Sequence, residues 1–251
     1  LHIMRQLTKY IHELKQWPKF TWKSDDFILL LSEARNLQGK LHGKMETLGF
    51  DLRGEALLKT LTLDAIKTSE IEGEYLNFEQ VRSSVARKLG LDIAGTVESD
   101  RDVDGVVEML MDATQIYYEA LTVERIFDWH AALFPTGRNG MVKITVGNWR
   151  EDTTGPMQVI SGPMGKEKVH FQAPNSTLLA KEMSRFLNWF NHEKEIEPLI
   201  KTAVAHLWFL TIHPFDDGNG RIARALTDML LAQADNSNQR FYSMSAQIRV
   251  E

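Results

Sequence analysis

The run Thr202–Ile212, Thr-Ala-Val-Ala-His-Leu-Trp-Phe-Leu-Thr-Ile, is apolar on nearly every side and stops at His213-Pro214. A helix with no water-facing side has to be central, with other elements packed around it. Proline pushes the residue before it out of helical geometry, so His213 is the corner where this helix ends. A second helix starts near Gly218–Gly220 and places Ile222, Ala225, Leu226, Met229 and Leu230 on its inner face. The corner between them reads Phe215-Asp216-Asp217-Gly218-Asn219-Gly220, and Arg221 and Arg224 follow on the first turns.

That corner has the chemistry of a phosphate cradle. Free N–H groups and the positive end of the dipole favour an anion at a helix start. Gly218 and Gly220 let such an anion approach the backbone. Arg221 and Arg224 repel each other and the positive helix end, so they require a multiply charged anion or an acidic residue in its place. Asp217 offers a hard oxygen ligand of the kind Mg²⁺ takes beside phosphate oxygens. His213 titrates in the range of a general base. A capped turn would account for the acids and glycines, but not for the histidine or the paired arginines. The spacing is neither that of a Walker loop nor that of a calcium loop.

The 251 residues allow one large domain, or a domain with an appendage. With 43% apolar and 25% charged residues the chain can bury a core, and its net charge of −5 argues against a bulk binder of nucleic acid or anionic membrane. No cysteine is present, which excludes disulfides and thiolate chemistry and fits the cytoplasm. No apolar run approaches a membrane span. The chain opens Leu1-His2-Ile3-Met4 and closes at Arg249-Val250-Glu251 without a turn signal, so a continuation beyond Glu251 is expected.

Helical periodicity predicts a short helix over Gln6–Gln16, stopped by Trp17-Pro18. A long helix capped by Ser24 follows, with a stripe of Phe27, Leu31, Ala34, Leu41, Met45 and Leu48 expected in the core. Further helices are expected over 54–72, from Asn77, and over 103–120, 122–134, 178–193, 197–212 and 220–233. Only between Pro135 and Pro174 does the pattern change. There Gln158-Val159-Ile160-Ser161 and Lys168-Val169-His170-Phe171-Gln172 flank Gly162-Pro163-Met164-Gly165, which predicts a hairpin. His130 reads as a packing residue, His206 lacks partners for a metal set, and His170 faces water or a target. The tryptophans and Met229 read as core.

His213 to Arg224 resembles the Fic-family signature His-Pro-Phe-x-(Asp/Glu)-Gly-Asn-Gly-Arg-x-x-Arg, with every specified position filled. Gly147-Asn148-Trp149-Arg150 is similar to the family's approach to its flap, and Trp17-Pro18-Lys19-Phe20-Thr21-Trp22 to its bacterial N-terminal segment. The resemblance implies a mainly α helical bundle with a β-hairpin flap. It also implies a protein adenylyltransferase, moving AMP from ATP to a Ser, Thr or Tyr hydroxyl of a target protein and to itself. In that reading His213 is the base, Asp217 holds Mg²⁺, and Gly218, Asn219, Gly220, Arg221 and Arg224 receive the ATP phosphates. Val159, Ile160, Val169 and Phe171 of the flap align the target.

Thr68-Ser69-Glu70-Ile71-Glu72-Gly73 places a carboxylate at a helix C-terminus, where it opposes the dipole. By itself Glu72 reads first as a solvated residue beside a helix-ending glycine. The segment also resembles the family's inhibitory motif, (Ser/Thr)-x-x-x-Glu-(Gly/Asn). Thr68, Glu72 and Gly73 would then form a restraint in which Glu72 pairs with Arg224. The division so implied is a helical extension over 1–90 and a catalytic domain over 91–251. A second copy of the chain is a further candidate partner, and neither nucleic acid nor membrane is expected. Removal of AMP, transfer of another phosphate-containing group, and a nucleotide-switched interaction module are the alternatives.

Overall fold

The computed structural model describes residues 10–250 apart from 154, 164, 165 and 167. Helices α1 (Ser24–Glu46), α2 (Phe50–Ile71), α3 (Phe78–Leu89), α4 (Arg101–Gln115) and α5 (Val123–Leu133) come first. Two antiparallel hairpins interrupt them: β1 (Arg138–Asn139) with β2 (Val142–Lys143), and β3 (Gln158–Ser161) with β4 (Lys168–Gln172). Helices α6 (Leu179–His192), α7 (Pro198–Ile212), α8 (Asn219–Asp235) and α9 (Met244–Val250) complete the chain. The architecture is thus mainly α with a hairpin at the expected residues. The first small hairpin and α9 carry too few residues to give a period and were not expected.

Helix α7 is central because it has no polar side: Val204, Ala205, Trp208, Phe209 and Ile212 are buried. Glu197 caps it, accepting from the Leu199 and Ile200 N–H groups at 2.7 and 3.0 Å, so a carboxylate sits on the positive helix end. Helix α8 packs along α7 and is buried from Arg221 to Ala232. Where α4 crosses α5 the helices approach so closely that a Cβ on Gly105 would stand 1.8 Å from the Ala132 carbonyl oxygen.

Two expectations need correction. Of Gln6–Gln16, residues 6–9 lie outside the described residues, and the rest holds only a single 3₁₀ turn, Ile11–Glu13. Helix α1 has no buried residue, and Ser24 is its first helical residue rather than its cap. Ile28, Leu29 and Leu30 are 62%, 81% and 64% exposed. Leu31, Ala34, Leu41 and Met45 of its stripe are half-buried, and Ala34 lines an apolar cleft of about 570 Å³ opposite Ala203, Leu207 and Leu231. Polar bridges fasten α1 instead, from Arg35 to Glu197 at 2.8 Å and from Gln38 to Tyr242 at 3.1 Å. An apolar stripe says which side of a helix faces inward, not how deeply it sinks.

Helix α2 is held against α8 by a buried polar cluster. Asp64 accepts from the Ser243 hydroxyl, while Arg240 donates to Asp228 at 2.6 Å and lies 4.8 Å from the Tyr242 ring centre. Burial, then the neighbouring Asp228 charge, pushes the Asp64 carboxyl up to about 7. Its folded-state value is therefore raised, so stability from this group is full below the unfolded carboxylate range and is lost as pH rises toward 7. Asp64→Asn is expected to flatten this slope and gain roughly 1–3 kcal/mol over wild type between pH 4 and 8, read from urea unfolding at each pH.

Candidate active site

The site is built where α7 ends. His213 stops the helix in the left-handed region at φ 51°, a backbone strain of the kind that collects at functional sites. Its Nδ1 faces the Leu210 carbonyl oxygen at 3.3 Å. With Nδ1–H as donor, Nε2 carries the lone pair. Burial lowers the pKa of His213, the Arg150 charge adds to that, and the Leu210 contact, Asp217 and Glu72 oppose it. The imidazole is consequently neutral at pH 7.

Arg150 clasps this corner from behind. Its Nε donates to the His213 carbonyl at 2.8 Å, its Nη2 to the Pro174 carbonyl at 2.6 Å, and its Nη1 to Asp152. The Arg150 N–H adds a bond to the Pro214 carbonyl at 2.9 Å. One guanidinium fork thus ties the His213 backbone to the exit of β4. The sequence places Arg150 in a recognisable motif, but nothing local says where its fork points.

The corner itself is held by side chain to backbone bonds. Asn219 accepts from the Phe215 N–H at 3.0 Å and donates to the Phe215 carbonyl at 2.8 Å, so its amide shapes the loop. Asp217 accepts from the Gly218 N–H at 2.6 Å and from Asn139 Nδ2 at 2.5 Å. His130 stacks on Phe215 with centres 4.0 Å apart. It also accepts from the Gly147 N–H at 3.4 Å, leaving Nε2–H to donate to the Asp217 carbonyl at 3.2 Å. Burial pushes its pKa down to about 4, which keeps it neutral in that role. Gly218 is glycine for two reasons: φ is 81°, and a Cβ would stand 2.9 Å from the Phe134 ring.

The two arginines diverge. Arg221 lies 4.9 Å from the Phe134 ring centre and donates to Glu74 at 2.6 Å, a partner the sequence reading did not single out. Arg224 donates from Nε to the Thr68 hydroxyl at 2.7 Å, and from Nη2 to the Thr68 carbonyl at 2.8 Å and Glu72 at 2.7 Å. Glu72 caps the C-terminus of α2, and Gly73 follows at φ 80°. A Cβ on Gly220 would meet the Glu72 carboxylate at 2.1 Å. Asp64, Thr68 and Glu72, four residues apart on α2, therefore run antiparallel to Asp228, Arg224 and Gly220 on α8.

Above this seam, Val159 and Phe171 pair across the hairpin, and a bulge follows between Val159 and Ile160. Val159 and Phe171 line a cleft of about 510 Å³ together with Glu72, His213, Gly220 and Arg224. Ile160 and Val169, paired beyond the bulge, are exposed at the rim. Among the described residues no three His, Asp or Glu side chains converge on a metal position. A single carboxylate such as Asp217 nevertheless fits Mg²⁺, which fills its shell with phosphate oxygens and water.

Comparison with known proteins bears on the family and the fold. Residues 120–231 match the Fic/DOC family model, and residues 10–91 match a domain of unknown function, DUF4172. A probable protein adenylyltransferase of Aquifex aeolicus is 34% identical over 71 residues, covering 28% of this chain and 22% of that protein. Protein adenylyltransferase Fic of Drosophila ananassae is 27% identical over 171 residues, covering 66% and 31%. The chain thus spans about a third or less of these curated relatives. In fold it is similar to a Fic family protein from Desulfovibrio desulfuricans, with TM-score 0.60 and 22% identity over 93% of this chain and 65% of that one. A Fic domain containing signaling protein from Bacteroides thetaiotaomicron gives 0.57 and 21% over 76% and 69%. This chain therefore carries a Fic/DOC domain over residues 120–231.

Proposed function

We propose that this chain is a protein adenylyltransferase, transferring AMP from ATP to a hydroxyl of a target protein and to itself, and that Glu72 restrains it. The observation that carries the reading is one cleft holding a neutral imidazole, a helix start and a buried arginine already occupied by a carboxylate. His213 Nε2 accepts the hydroxyl proton as the oxygen attacks the α-phosphorus. The bond to the β-phosphate breaks and pyrophosphate leaves. Gly218 and Gly220 let the phosphates approach the backbone at the start of α8, and Asn219 holds the loop that leads into it. Mg²⁺ bound at Asp217 would supply neutralisation of phosphate charge. Arg224 serves the γ-phosphate once Glu72 releases it, and Arg221 serves the phosphates once it leaves Glu74.

In this reading the extension over 1–90 restrains the catalytic part over 91–251, and Val159, Ile160, Val169 and Phe171 receive the target's backbone by strand addition. Among the described residues no helix is long and apolar enough to cross a membrane. The cytoplasm, where ATP is abundant, is the proposed setting.

The test uses Glu72→Gly protein with α-labelled and γ-labelled ATP in parallel. Transfer of α-label alone supports adenylylation, whereas γ-label transfer means phosphorylation. Release of pre-attached AMP would mean that the site works in reverse. Tight ATP binding with no transfer would mean a nucleotide-switched binding module.

Arg150 provides a further expected result. Arg150→Gln should lower kcat about tenfold or more with little change in KM for ATP, because the backbone of the base loses its clasp. It should also move the acid limb of the pH profile upward, since the Arg150 charge helps lower the His213 pKa. Arg150→Lys keeps the charge without the fork, so it should lower kcat and leave the limb in place.

A further inference from the structure

The segment before the first helix enters the cleft. Ile11 lines it beside Val159, Phe171, His213 and Arg224. The Tyr10 ring meets Phe171 edge-on at 5.4 Å, and the His12 ring does so at 5.7 Å. Tyr10 and His12 stack on each other at 5.9 Å, so two rings bracket the same flap residue. The segment is turned by Glu13, which accepts from the Tyr10 N–H at 2.8 Å. It is anchored downstream by Trp17, whose indole donates to Glu182 at 2.8 Å and packs 6.0 Å from Trp208 of α7.

We infer that Tyr10 is the hydroxyl this chain modifies on itself. The inference rests on the AMP-transfer reading above and names its intramolecular acceptor. Phe171 is one of the two flap residues that face the cleft with His213, and Tyr10 sits on it as a docked target side chain would. Other hydroxyls of the cleft are poorly placed. Thr211 is buried and bonds the Leu207 carbonyl at 2.7 Å, and Thr68 is buried beneath Arg224. Ser161 belongs to the flap and bonds His170 at 2.5 Å. The seven-residue tether from Trp17 to Tyr10 spans at most about 25 Å, and the contact with Phe171 keeps the Tyr10 ring on a wall of the cleft that His213 lines. A tether this short gives an effective concentration on the order of millimolar, enough for modification without a second molecule.

In the step, the Tyr10 O–H proton passes to His213 Nε2 and the Oη–Pα bond forms. The bond from Pα to the bridging oxygen breaks, and pyrophosphate carries away the electron pair. The product is a phenolic phosphodiester on Tyr10. It stays attached at the flap, so each molecule is expected to modify itself once and then to hold its target cleft covered.

The experiment uses the 251-residue chain carrying Glu72→Gly, incubated with Mg²⁺ and α-labelled ATP, with the label located by peptide mass spectrometry. Label should map to Tyr10, and the initial rate per molecule should not change over a tenfold range of protein concentration. Tyr10→Phe in the same background should lower self-labelling at least tenfold, with an unchanged melting temperature. Label on another residue, undiminished labelling of the Tyr10→Phe protein, or a rate per molecule rising with concentration would overturn the assignment and leave AMP transfer standing. Absence of any transferred AMP from Glu72→Gly protein would overturn the transfer reading and this assignment with it.

Discussion

His213→Ala is expected to lower AMP transfer by about 10²–10⁴-fold, the usual contribution of a positioned general base, and to leave ATP affinity within about twofold. The asymmetry follows from where the side chain sits. His213 closes α7 and faces the cleft, while the proposed phosphate cradle is the start of α8 with the arginines one turn on. Removing the imidazole therefore deletes the proton acceptor without opening the cradle. His213→Asn retains polarity but has no basic nitrogen, so it should be as inactive as alanine; activity in either variant would sink the assignment. The pH profile gives an independent check. Burial lowers the His213 pKa, so the base form persists below the ordinary histidine range, and the acid limb of kcat should lie below that range.

Glu72→Gly is expected to act in the opposite direction, raising transfer about tenfold or more. The Glu72–Arg224 bond is charge-assisted, a class typically contributing roughly 1.5–3 kcal/mol, and about 1.4 kcal/mol corresponds to tenfold. Glu72 is a third exposed, so solvent screening places the effect toward the lower end. Arg224 keeps its bonds to the Thr68 hydroxyl and carbonyl when the carboxylate is removed, which also limits the gain. Glu72→Gln is the informative control, because it keeps an acceptor and loses the charge. It should fall between wild type and glycine, and equal activity in all three proteins would remove Glu72 from any inhibitory role. Loss of Glu72 also removes a charge that raises the His213 pKa, so the acid limb of the released enzyme should lie slightly lower.

Much of this was legible in order along the chain. The uninterrupted apolarity of 202–212 placed one helix at the centre, and Pro214 after His213 placed the corner. Asn77 was readable as a cap, and its side chain does accept from the Glu79 and Gln80 N–H groups. The flap was readable because alternation flanked a Gly-Pro turn. Each of these signals acts within a few residues and survives without knowledge of distant partners.

Helix α1 marks where such signals stop: its stripe is as regular as a core stripe, yet the core was already filled by α2 to α8. The site divides in the same way. Its residue types and helix-start geometry belong to the twelve-residue stretch from His213 to Arg224, because proline, glycine and a helix dipole act locally. The pairings do not. Glu72 reaches Arg224 across 152 positions, Glu74 reaches Arg221 across 147, and Arg150 reaches the His213 carbonyl across 63. By itself the sequence determined a glycine-rich helix start with a histidine before it and two arginines after it. Only the packing of α2 on α8, and of the flap's base on Arg150, decided that Arg224 and Arg221 each meet a carboxylate and that the His213 backbone is clasped, because charges pair with whatever the fold brings within about 3 Å.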